Sequence, residues 1–125
     1  MLRKILIIVL SIALILELFL TCSAFFATEA TMQKFGVVLN SNTAFLAYIV
    51  AWCLLFISLI CGLAIYQVTN KKSYAAICYL LGFWWIGIGV GIYVAFGKPD
   101  NLLLDSFKGC VIVILTYITI RKGNR

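Results

Sequence analysis

Ten basic and only four acidic side chains punctuate this 125-residue sequence, and one of the acids stands where charge is expensive. Glu17 lies about a dozen residues into an apolar run that opens the chain. An ionisable group at that depth in a hydrocarbon-embedded helix marks a functional site or a partnered charge. The partner the sequence offers is Lys108, with Asp105 three residues before it and so on the same face of a helix. Three chemistries are open to this set. Glu17 and Lys108 form a buried structural ion pair, or Glu17 handles protons or a cationic substrate. In the third, Glu17 stays protonated and hydrogen-bonded, because burial disfavours the charged form.

Other reactive types are sparse. Trp84 and Trp85 fall near the middle of a third apolar run, away from the interfaces where tryptophan collects, and Trp52 lies within the second. Buried indoles seek a partner for their N–H, so the three are candidate liners of a pocket for a flat or apolar ligand. The competing role is to fill space opposite glycines of a neighbouring helix. Five cysteines (Cys22, Cys53, Cys61, Cys78, Cys110) carry no CxxC spacing and read as small hydrophobes rather than a thiol–disulfide relay. There is no histidine, nucleophile–base pair, metal-ligand spacing or phosphate loop. No metal and no cofactor is therefore expected, and the balance leans against an enzyme.

The elements that must position these groups are membrane spans. The sequence is 65% hydrophobic, with a mean hydropathy of +1.14, far above a soluble domain. Four apolar runs, at about 5–26, 44–66, 73–96 and 101–120, are each long enough to cross a hydrocarbon core of about 30 Å. The fourth must start near Asn101, since a start at Ser106 leaves too short a helix. The third holds Gly82, Gly87, Gly89 and Gly91. At about 100° per residue, Gly82 and Gly89 share one face and Gly87 and Gly91 roughly the opposite one. Two smooth faces predict an inner helix with close neighbours on both sides, because small residues let backbones approach.

The connections are equally legible. In the first loop Met32, Phe35, Val38 and Leu39 recur at helical spacing, which predicts a short surface helix interrupted at Gly36. Asn40 to Thr43 is a turn cluster, and Gly97 to Asp100 a tight turn with Asp100 as helix cap. Cys22-Ser23-Ala24 offers a loose signal-peptide cleavage site, but the length of the run and Glu17 ahead of it favour a retained span. The expected fold is a single all-α membrane domain over residues 1–125, a four-transmembrane-helix bundle.

Charge sets the orientation. Arg3, Lys4, Lys71, Lys72, Arg121, Lys122 and Arg125 fall on one side of a four-span chain with no acid among them. The positive-inside rule then places both termini in the cytoplasm. Basic residues confined to the ends of apolar runs do not form a nucleic-acid surface. The partners expected are the lipid bilayer and either further copies of the chain or other membrane subunits.

Two resemblances go with these motifs. The basic start, the outer loop EATMQKFGVVLNSNTAF, the short KK turn and the GKPDNLLLDSFKG turn resemble the small DoxX-like and BphX-like four-helix bacterial membrane proteins. That resemblance implies a multi-pass protein of the bacterial inner membrane, a non-enzymatic accessory or hydrophobic-ligand-binding subunit; some DoxX-type members associate with membrane redox systems. Glu17 and the segment Trp85-Ile86-Gly87-Ile88-Gly89 are also similar to small multidrug-resistance transporters. This implies the alternative function, a proton-coupled exporter working as a dimer with Glu17 titrating.

The four-span topology has a direct test. On a cysteine-free background, single thiols at Ser73 and Asn101 should react with impermeant maleimide from opposite sides of the membrane. Labelling of both from one side would overturn it.

Overall fold

The computed structural model describes residues 1–123, and Arg125, counted above among the orienting charges, lies outside them. Among the described residues every regular element is helical. Helix α1 spans Leu2–Phe26, α2 Thr28–Lys34, α3 Ala44–Thr69 and α4 Ala75–Phe96. A short α5, Pro99–Asn101, runs through a π-helical turn, Leu102–Ser106, into α6, Phe107–Gly123. Four stretches, Leu2–Phe26, Ala44–Thr69, Ala75–Phe96 and Pro99–Gly123, are long and apolar enough to cross a membrane. The chain has the make-up of a multi-pass membrane protein.

Burial follows membrane rather than aqueous logic. Only 28% of each apolar window is buried, so most of every long helix presents apolar side chains outward. What is buried is a narrow row on each helix that mixes small residues with larger apolar ones and a few polar groups. On α4 it is Cys78, Leu81, Gly82, Trp85 and Gly89, and on α6 Gly109, Ile112, Thr116 and Thr119. On α1 the row runs Leu6, Leu10, Ala13, Glu17, Thr21 and Ala24. Spacings of three and four keep each row on one helix face, and small members let helices approach where lipid supplies no hydrophobic drive.

The chain divides into two compact units. One takes Met1–Ser11 and everything from Leu63 onward, the other Ile12–Gly62. In the first, α4 packs antiparallel to α6 with backbones in contact. A Cβ at Gly82 would stand 3.0 Å from the Gly109 carbonyl oxygen, and one at Gly109 would strike the Gly82 carbonyl oxygen. Seven residues along, Gly89 faces the π-helical turn. A Cβ there would lie 2.7 Å from the Asn101 carbonyl oxygen and 2.9 Å from the Ser106 nitrogen, and would collide with the Ser106 hydroxyl. That hydroxyl donates across to the Ile86 carbonyl at 3.2 Å. The other glycine face behaves differently, for a Cβ at Gly87 or Gly91 would meet nothing within 4 Å.

The turn between these helices is set by two residues. Gly97 closes α4 in the left-handed region (φ +65), its N–H bonded to the Tyr93 carbonyl at 2.8 Å. Pro99 then occupies the first helical position, where its missing N–H costs nothing. Extended Lys98 therefore holds the cap position, and Asp100, expected as the cap, lies inside the first turn. There its charge still complements the helix dipole.

In the second unit α2 carries Glu29 in its first turn and Lys34 in its last, both favoured by the dipole. It buries Thr31 and Met32 and ends at Lys34, so of Met32, Phe35, Val38 and Leu39 only Met32 lies in the helix, and Gly36 (φ +75) follows its end rather than interrupting it. Asn40 then organises the entry to α3, its Oδ1 accepting from the N–H groups of Asn42 (2.9 Å) and Thr43 (3.1 Å).

The glycines give opposite expectations on the two faces. Gly89→Ala should lower thermal stability in detergent by about 1–3 kcal/mol through overpacking. Gly87→Ala should leave it unchanged or raise it by up to about 1 kcal/mol from helix propensity. Equal effects at both positions would contradict the one-sided packing.

Candidate functional site

Three polar residues near the start of the fourth span lie in one row. Asn101, Asp105 and Lys108 are four and three apart, and both oxygens of the Asp105 carboxylate are used. Asn101 Nδ2 donates to Oδ2 at 2.9 Å, and Lys108 Nζ meets Oδ1 at 3.2 Å. The lysine and aspartate side chains are only 14% and 18% exposed, so the pair is poorly screened by solvent. The Lys108 ammonium also stands 4.3 Å from the centroid of the Trp85 ring, well inside the range of a cation–π contact.

Local geometry explains why these groups meet. Gly82 sits against Gly109 and Gly89 against Ser106, which pins α4 to the other helix on either side of Trp85. Lys108 lies between those two contact points, at the level of the ring. Trp85, 2% exposed, offers its electron-rich face to the ammonium. The indole thus helps solvate a cation in a layer where water is scarce.

Glu17 belongs to the other compact unit and is 3% exposed. One turn further along α1 the Thr21 hydroxyl donates to the Glu17 carbonyl at 2.7 Å. The Ser58 hydroxyl of α3 stands 3.3 Å from that of Thr21 and donates to the Leu54 carbonyl at 2.9 Å. Each hydroxyl has one proton. A bond between the two therefore forms only when one turns away from its own carbonyl. The hydroxyl bond reaches the Glu17 backbone, so Thr21 and Ser58 link α1 to α3 one turn from a buried acid.

The three tryptophans do not share an environment. Trp85 is buried beneath Lys108, while Trp84 is 43% and Trp52 50% exposed. Trp52, two turns into α3, makes edge-to-face contacts with Phe25 (5.9 Å) and Tyr48 (6.2 Å). Of the glycines, Gly82 and Gly89 carry close packing, and a Cβ at Gly87 or Gly91 would have nothing within 4 Å among the described residues. The cysteines are free thiols, with Cys61 and Cys78 buried and Cys22, Cys53 and Cys110 exposed. Among the described residues no three potential ligands gather as a metal site.

Sequence reasoning passed over Asn101, Ser106 and the role of Trp85 as a cation partner. The first two belong to the π-helical turn, which adds a residue to the helical repeat within the featureless run Leu102-Leu103-Leu104. Comparison with protein-family models, characterised proteins and solved structures gives no match.

Asp105 and Trp85 hold one ammonium between them, so their effects should be coupled. Asp105→Asn and Trp85→Leu are each expected to destabilise, with a departure from additivity of about 0.5–3 kcal/mol in the double variant. The coupling should vanish on a Lys108→Met background. Coupling that survives there would assign it to packing instead.

Proposed function

We propose that this chain is a non-enzymatic accessory or hydrophobic-ligand-binding subunit of the bacterial inner membrane, of DoxX-like or BphX-like type. In this reading it is a four-helix bundle with both termini in the cytoplasm. The observation that carries it is the engagement of Lys108 by Asp105 and Trp85 on adjacent helices. Charge inside the span is used to fasten the protein, while broad apolar faces remain for lipid or an apolar partner. Basic residues at Arg3, Lys4, Lys71, Lys72, Arg121 and Lys122 support the cytoplasmic orientation. The structural ion pair of Glu17 with Lys108 that the sequence suggests belongs to this reading.

One observation favours a second reading. The buried Glu17 suits a proton-coupled exporter in which this side chain carries the proton. The two readings part on mutation. Loss of one member of a buried ion pair typically costs 3–5 kcal/mol, and loss of both much less. The structural reading expects Glu17→Gln and Lys108→Met each to lower the melting temperature, and their combination to recover much of the loss. The exporter reading expects Glu17→Gln to keep the fold and abolish resistance to toxic cations, with Lys108 of little account. Melts of the three variants, with a resistance assay, distinguish them. Additive destabilisation together with resistance lost in Glu17→Gln alone would overturn the first reading.

A further inference from the structure

Three helices of this chain close on a left-handed residue. For α2 it is Gly36 and for α4 Gly97, the residue type that takes this conformation without a Cβ clash. For α3 it is Lys71, at φ +55 the one non-glycine residue with positive φ among the described residues. The backbone closure matches that of α2. Lys72 N–H donates to the Gln67 carbonyl at 2.9 Å and Lys71 N–H points to Val68 at 3.4 Å. In α2, Val37 N–H meets Met32 at 2.9 Å and Gly36 N–H meets Gln33 at 2.9 Å. Both are the six-to-one and five-to-two pattern that prefers glycine at its left-handed position. A lysine there is strained, so its retention calls for a reason outside the turn.

The neighbourhood supplies one. The Lys72 ammonium donates to the Tyr66 hydroxyl at 3.1 Å and lies 4.8 Å from the ring centroid, which holds it at the same rim. The antiparallel pairing steps from Gly89 with Ser106 to Gly82 with Gly109 and Val113. Continued, it brings the end of α6, with Arg121 and Lys122, level with the start of α4. Arg3, Lys4, Lys71, Lys72, Arg121 and Lys122 all belong to one compact unit. The acids Glu17, Glu29, Asp100 and Asp105 all lie elsewhere in the chain.

We propose that this basic rim binds the phosphodiester headgroups of anionic phospholipids, and that Lys71 is kept in its left-handed position to reach them. These cations lie at or beside the ends of the apolar spans, where leaflet phosphates would stand. A lipid rather than a free anion is the occupant because exposed Ile8, Leu63, Tyr66 and Tyr117, in the same unit, offer apolar surface to acyl chains beside the rim. Lysines and arginines held near an anionic leaflet each add to the attraction.

The test uses the full-length chain in phosphatidylcholine nanodiscs, with phosphatidylglycerol as the added probe. Phosphatidylglycerol should be enriched around the protein and raise its melting temperature, and salt should weaken both effects. Lys71→Gly relieves the strained turn, so its melting temperature in phosphatidylcholine alone should be unchanged or higher. Its binding of phosphatidylglycerol should nevertheless fall about fivefold, the effect of one lost surface cation. Adding Arg121→Gln and Lys122→Gln should remove the preference. Equal binding of both lipids, or full binding by Lys71→Gly, would overturn the proposal. So would inorganic phosphate or polyglutamate competing as well as phosphatidylglycerol, since either would assign the rim to a different anion. A lower melting temperature for Lys71→Gly in phosphatidylcholine would show that the lysine serves the fold, and would remove the argument.

Discussion

Contact between two backbones, at Gly82 and Gly109, is the constraint on which the first compact unit depends. In water, helices are pressed together by the apolar area they hide; in lipid the surrounding chains are as apolar as the side chains, and that drive disappears. What remains is dispersion and short-range polar contact, both steep in distance. The approach of the Gly109 Cα face to the Gly82 carbonyl therefore decides more than separation. It fixes the register of α4 against α6, and the register fixes what else can meet. Ser106 arrives beneath Gly89 and bonds to Ile86, and Lys108 arrives over Trp85.

The π-helical turn follows from the same constraint. Gly97 and Pro99 leave little freedom in where the last span begins, and Gly82 and Gly109 fix where its middle must sit. One wider turn between those fixed points lets both be satisfied. Its position is informative, since the Asn101 carbonyl and Ser106 nitrogen at its two ends are the atoms that Gly89 abuts. A side chain at Gly89 would separate them. Wide turns of this kind are frequent at functional sites, and here the turn carries the Asn101–Asp105 end of the polar row.

How much of this was legible in the sequence depends on the range of the interaction. The long helices are set by local composition, and all four apolar runs are helices. Gly36 and Gly97 were readable as breaks because a left-handed residue is a local demand. The Asp105–Lys108 contact follows from helical spacing alone. The wide turn was not legible, because it reconciles two tertiary anchors and leaves no trace in the residues Leu102 to Leu104. For the same reason the periodicity of Gly82, Gly87, Gly89 and Gly91 yields two equivalent faces. Only the partner helix makes them different. The three tryptophans were separable in principle, since Trp52 lies two turns from the start of its helix and Trp84 and Trp85 point about 100° apart.

The polar groups show how such a protein places charge where charge is costly. An ammonium transferred alone into a dry layer is prohibitively unfavourable, and a bare lysine–aspartate pair still leaves donor and acceptor capacity unused. Here neutral groups take up part of the remainder: Asn101 on the second carboxylate oxygen, and the face of Trp85 on the ammonium. The hydroxyls of Thr21 and Ser58 are treated in the same way, each anchored to a carbonyl one turn back on its own helix. Local anchoring satisfies a polar group without requiring a partner helix to be present. It therefore serves during insertion, before the helices have packed, as well as afterwards. Lys71 is the contrasting case, a charge placed at a rim where water and headgroups can solvate it, yet on a backbone that would accept glycine more readily. Inside the span the sequence supplies partners to make a charge tolerable; at the rim it accepts strain to keep one.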